Sequence, residues 1–220
     1  MHISLRQPGP FAYAKIDLLA GERIKAESDA MVSMSPCFTI ETELHSGLKE
    51  SISRRLFGGE DVFFQTITAQ HGPGHVLLAP PTVADIVHLT LQAHEQFYVQ
   101  KSGFLAGSQS LTISTKLQPF AKGLLGGEGF FLLHIQGPGE LLLNSYGAIH
   151  AVTLAPDESY IVDNAHLVAW SDTTNYEIKT SSRSWLSSLL SGEAFVCRFT
   201  GPGTLYLQSR QEPVLPVRSS

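Results

Sequence analysis

Three glycine–proline–glycine triplets, starting at Gly72, Gly137 and Gly201, constrain this chain more than any other feature. Each closes a longer recurring stretch. Residues 126–139 read GGEGFFLLHIQGPG and continue as ELLLNS; residues 58–74 read GGEDVFFQTITAQHGPG and continue as HVLLAP; residues 191–203 read SGEAFVCRFTGPG and continue as TLYLQS. Short apolar runs bounded by glycine have the form of buried strands. After each triplet the alternation puts Val76 with Leu78, Leu141 with Leu143, and Leu205 with Leu207 on one face. The pattern predicts a β-hairpin at Gly72-Pro73-Gly74, at Gly137-Pro138-Gly139 and at Gly201-Pro202-Gly203. A type II turn would use Pro138 to set a negative φ at its second position, and would demand a positive φ at Gly139 and Gly203. One triplet alone is a weak signal; the same unit met three times is the signature of an internal repeat.

Two further units recur. Residues 16–35 (IDLLAGERIKAESDAMVSMS) align without gaps to 89–108 and 152–171, so that Glu22, Glu95 and Glu158 share one position. Ile24, Phe97 and Tyr160 share a second, and Met31, Phe104 and Leu167 a third. Each copy reads strand, turn, strand, turn, strand, and an alternating segment follows. Residues 48–60, 117–128 and 181–193 end alike, in two apolar residues, a small pair and Glu60, Glu128 or Glu193. They lack β-branched alternation and read as two helical turns stopped by small residues. Leu186, Leu189 and Leu190 would share a face, packed on the end of a barrel or presented as a small amphipathic patch. The repeated carboxylates Glu60, Glu128 and Glu193 fit local bonds from backbone N–H groups; three equivalent ligand sites between repeats are the functional alternative.

The order of these units predicts an all-β fold. Three pseudo-equivalent repeats of β-hairpin units, about 1–80, 81–145 and 146–220, would form one domain, a closed pseudo-threefold sandwich or barrel with short helices between repeats. The first and last half-units would complete each other, and closure would remove the open edges that β proteins must otherwise protect.

Composition excludes several function classes. A net charge of −5, and Arg54-Arg55 as the sole adjacent basic pair, argue against a nucleic-acid footprint. Cys37 and Cys197 lack metal-type spacing, and Cys197 sits in an apolar strand, which predicts a buried free thiol. No apolar run is long enough to cross a bilayer and no leader is recognisable, so a cytoplasmic location is expected. Nine histidines raise the question of a metal. His71 and His75 flank a triplet and His88 and His94 follow, but the counterparts of His71 and His75 are Gln136 and Glu140, then Thr200 and Thr204. Asp163, Asn164 and His166 form the most enzyme-like cluster; their counterparts Glu27, Ser28 and Ala30 keep a turn and lose the chemistry. The sequence therefore assigns no catalytic, metal or cofactor residue and predicts a protein that is not an enzyme.

The stretches GGEGFFLLHIQGPG, NSYGAIHAVTL, IVDNAHLVAW and SGEAFVCRFTGPG together resemble the altered-inheritance-of-mitochondria family 24, over essentially the whole chain and in the family's order. The resemblance implies a fold similar to the tryptophan RNA-binding attenuation protein, with three such units in one chain. It implies kinship with bacterial members of unknown function and with a mitochondrial yeast namesake that supports inner-membrane organisation. It carries over no catalytic residues. The expected function is a non-catalytic scaffold or binding protein, a homo-oligomer that meets a protein partner or a membrane surface without crossing it. A small-ligand sensor with pockets between repeats is the alternative.

Overall fold

The computed structural model describes residues 1–43, 64–118, 130–179 and 196–211. Within them the chain is all-β apart from two 3-10 turns, at Lys101–Gly103 and Asn164–His166. The first third contains β1 (His2–Arg6), β2 (Tyr13–Leu18), β3 (Arg23–Glu27), β4 (Met31–Met34), β5 (Thr39–Glu43), β6 (Phe64–Thr68) and β7 (Gly74–Leu78). The middle contains β8 (Ile86–Leu91), β9 (Gln96–Gln100), β10 (Phe104–Ser108), β11 (Thr112–Gln118), β12 (Phe130–Gln136) and β13 (Gly139–Asn144). The last contains β14 (Ile149–Leu154), β15 (Ser159–Asp163), β16 (Leu167–Ser171), β17 (Asn175–Lys179), β18 (Val196–Thr200) and β19 (Gly203–Gln208).

The three thirds use their strands alike. β7 lies between β2 and β4, β13 between β8 and β10, and β19 between β14 and β16, all antiparallel. A register shift falls at the same place in each: between Met31 and Ser33, Phe104 and Ala106, Leu167 and Ala169. Opposite each of these layers stands a second one, β5-β6-β3, β11-β12-β9 or β17-β18-β15. The facing layers enclose three separate cores. Ile16, Val76, Ile24 and Ile67 belong to the first; Leu91, Leu141, Phe97 and Ile135 to the second; Leu154, Leu205, Val162 and Phe199 to the third.

This arrangement corrects the hairpin expectation. β6 does not pair with β7, nor β12 with β13, nor β18 with β19; each triplet carries the chain from one layer to the facing one. The consecutive paired strands are β1–β2, β5–β6, β11–β12 and β17–β18. Alternation reports which face of a strand is buried, and two strands facing each other across a core alternate just as two paired strands do. Gly137-Pro138 and Gly201-Pro202 are cis peptides. Gly139 and Gly203 do have positive φ, +152° and +154°; in the first triplet the positive φ falls on Gly72 instead.

Adjacent thirds share sheets. β3 pairs with β10, giving the six-stranded order β5-β6-β3-β10-β13-β8, and β9 pairs with β16, giving β11-β12-β9-β16-β19-β14. Central strands consequently serve two cores. Phe104 packs in the second core while Leu105 and Ala106 pack in the first. Leu141 and Leu143 face the second core and Leu142 the first, which accounts for three successive buried leucines. Among the described residues no sheet closes into a barrel, and no ladder joins β4 to β15, the edge strands of the four-stranded sheet β1-β2-β7-β4 and the three-stranded sheet β15-β18-β17. The predicted helical turns, with Glu60, Glu128 and Glu193, lie outside the described residues, except that Leu117 and Gln118 continue β11 as strand.

Candidate functional site

The recurring polar residues are engaged with the backbone. Glu22 Oε2 accepts from Leu19 N–H at 2.8 Å, Glu95 from Gln92 N–H at 2.6 Å and Glu158 from Ala155 N–H at 2.8 Å. In return each glutamate's own N–H donates to the carbonyl of that same partner, closing the turn from both sides. The amino terminus and the Leu19 N–H together hold the Glu22 carboxyl below its ordinary range. A second set was not singled out in the sequence, although its residues end the three aligned segments. Ser35 Oγ accepts from His75 N–H at 2.9 Å, Ser108 Oγ from Glu140 N–H at 2.9 Å and Ser171 Oγ from Thr204 N–H at 2.8 Å. These bonds explain the last glycine of each triplet. A β-carbon on Gly74, Gly139 or Gly203 would lie 2.5, 2.3 or 2.4 Å from the corresponding serine oxygen.

The three thirds meet through the segments that lead into β2, β8 and β14. Phe11 and Ala84 form a parallel bridge, as do Ala84 and Gly147. Asp85 stands at this meeting point. Its Oδ1 accepts from Gly9 N–H at 3.0 Å and Ile86 N–H at 2.9 Å, and its Oδ2 from Ile149 N–H at 3.5 Å. One carboxylate thus serves backbone from all three thirds. It has no counterpart carboxylate, since Ala12 and Ala148 stand at the equivalent positions, so repetition in the sequence gave no signal for it.

The sequence-predicted chemical candidates are dispersed. His71 and His94 are exposed. His88 Nε2 lies 2.6 Å from Glu140 Oε2, which also accepts from Thr90 Oγ1 at 2.9 Å; this is a cross-strand pair at the surface of β8 and β13. Asp163 Oδ1 accepts from Ala165 N–H at 2.9 Å, capping a 3-10 turn, and His166 Nδ1 lies 2.7 Å from Gln208 O. His75 lines a groove of about 520 Å³ with His2, Asp17 and Pro73, within the first third and not between repeats. There Lys15 Nζ, 2.6 Å away, holds the Asp17 carboxyl below its usual range. Among the described residues no three His, Cys, Asp or Glu side chains are grouped to hold a metal ion. Cys37 is half-buried and Cys197 buried, and both are free; burial pushes the Cys197 thiol up to about 11.

An aromatic cluster joins the second and third thirds. The Tyr98 ring is 5.5 Å from Trp170 and 4.9 Å from His134, and Trp170 meets Tyr176 and Phe199 edge-on at 5.3 and 5.6 Å. Lys116 Nζ donates to Tyr98 Oη at 3.0 Å. Burial, then the Lys116 charge, lowers the His134 pKa.

A protein-family model described as "Mitochondrial biogenesis AIM24" matches residues 3–210. The chain belongs to the AIM24 family. An uncharacterised protein of Streptococcus pyogenes serotype M6 is 33% identical over 216 residues, covering 95% of this chain and 86% of that protein. The crystal structure of a Streptococcus pyogenes protein superposes with a TM-score of 0.77 at 31% identity, covering 96% of this chain and 94% of the other. The AIM24 fold is therefore held in common with bacterial relatives, and neither of them is described by an activity. No helix among the described residues of this AIM24 protein is long and apolar enough to cross a membrane.

Proposed function

We propose that this AIM24 protein is a non-catalytic scaffold or binding protein, its three units arranged with pseudo-threefold symmetry, which self-associates and recruits a protein partner. The carrying observation is the use made of its polar side chains. Asp163, Glu22, Glu95, Glu158, Ser35, Ser108, Ser171 and Asp85 are all taken up in bonds to backbone N–H groups. A nucleophile–base pair needs its acceptors free to take a proton from a reacting group. The proposal extends to contact with a membrane surface from outside, which the family resemblance implies, and to a cytoplasmic location. Purified protein should turn over none of a panel of hydrolase, oxidoreductase and transferase substrates. Turnover that vanishes in Asp163→Ala/His166→Ala, with the variant still folded at the assay temperature, would mean that the protein is an enzyme. Affinity capture from the native host, quantified against the same protein heat-unfolded, tests recruitment; equal recovery on both rejects it.

A further inference from the structure

The two interfaces between thirds define what the unpaired edges of β4 and β15 are shaped to hold. At both, an edge of the β4 type pairs antiparallel with an edge of the β15 type. Ala106, Gly107 and Ser108 lie opposite Ala26, Lys25 and Ile24; Ala169, Trp170 and Ser171 lie opposite Val99, Tyr98 and Phe97. In the aligned repeats these positions are Ser33, Met34 and Ser35 on the β4 side, and Val162, Ile161 and Tyr160 on the β15 side. Among the described residues these last two edges have no pairing strand, although both other interfaces are formed.

Side-chain exposure marks the same gap. Leu105 and Val168, 0% and 2% exposed, insert into the core of the preceding third; their counterpart Val32 is 61% exposed. Ile24 and Phe97 are 0% and 8% exposed, whereas Tyr160 is 40% exposed and its neighbour Ile161 66%. The edges are also unguarded. β4 has no charged residue and β15 only Asp163 at its end. Exposed strand edges without charge or proline are templates for pairing with another chain.

We infer that β4 of one molecule pairs antiparallel with β15 of a second copy of this chain, Met34 opposite Ile161, repeating the internal interface between molecules. Val32 then enters the third core of the partner copy as Leu105 and Val168 enter theirs. Two copies that exchange edges reciprocally form an isologous, two-fold dimer that leaves neither β4 nor β15 open. This inference rests on the self-association in the proposed function and names its surface.

Light scattering of the purified chain should give at least twice the chain mass. Ile161→Lys and Val32→Lys should each return it to the monomer with the far-UV circular dichroism of the folded chain retained, because both side chains are exposed in the single chain. In a Cys37→Ser background, Met34→Cys alone mixed with Ile161→Cys alone should form a disulfide-linked dimer on mild oxidation, and neither variant by itself should do so. A monomeric mass at every concentration overturns the inference. So does a Met34→Cys/Ile161→Cys chain that cross-links within itself and stays monomeric, since the molecule would then close its own edge. A monomer that still captures a protein partner specifically would reject this surface and leave recruitment standing; loss of capture with dimerisation intact would do the reverse.

Discussion

At Gly139 two requirements coincide: a positive φ of +152°, and a serine oxygen where a β-carbon would sit. Gly139→Ala should therefore cost more than the roughly 1 kcal/mol of a plain glycine propensity change. Ser108→Ala alone should cost about 1–2 kcal/mol, since it strands the Glu140 N–H. Because the added methyl group and the hydroxyl claim one space, the double variant should cost less than the sum, by an amount a double-mutant cycle in urea resolves. Cys197 supplies a pH dependence. Its thiol is raised from 9.0 to about 11 by burial, so between those values the unfolded chain loses a proton that the folded chain keeps. The unfolded state then binds fewer protons, and stability falls as pH rises through that window. Cys197→Ala should flatten this fall in unfolding midpoints measured from pH 8 upward; an unchanged slope would exclude the thiol as its source. The glycines were legible in the sequence because they recur in an identical setting. Ser35, Ser108 and Ser171 recur equally, but a serine at a strand end has many ordinary uses, and only the backbone geometry singles out its acceptor role.

Strands that serve two cores carry the architecture at the level of elements. β16 sends Leu167 and Trp170 into the third core and Val168 and Ala169 into the second. Trp170 is fully buried, yet its indole N–H has no partner among the described residues. Trp170→Phe removes that unpaired donor while keeping an aromatic ring against Phe199 and Tyr176, so the packing loss and the relief offset each other to within about 1 kcal/mol. Trp170→Ala should cost about 3–5 kcal/mol, because the cavity opens between two thirds. Thermal unfolding of both variants is the check, and a phenylalanine variant as damaged as the alanine variant would rule out the offset. Alternating patterns made the strands of this fold legible, together with their all-β class and the buried faces at Val76 and Leu78, Leu141 and Leu143, and Leu205. Partner strands were not legible. Nothing in a period of two says whether β12 meets β13 side by side or across a core, and so corners were read as hairpins. The same ambiguity concealed why Leu142 is buried between two buried neighbours.

For the whole molecule the decisive group is a single side chain. Asp85 binds backbone that leads into β2, β8 and β14, so removing it loosens every third at once. Asp85→Ala should cost roughly 2–4 kcal/mol, the loss of one strong carboxylate acceptor shared by separate segments. Asp163→Ala, which uncaps one local turn, should cost about 1 kcal/mol. Urea denaturation compares the two directly, and equal costs would show that the meeting point is not central. No repeat pattern could announce Asp85, because its equivalents are alanines and its importance arises only where three unlike neighbours converge. The same singularity limits how the gene can be divided. A truncation library would separate into two classes: clones that keep Gly9, Asp85 and Ile149 together and give soluble protein, and clones that lose one of them and enter inclusion bodies, however intact their remaining cores.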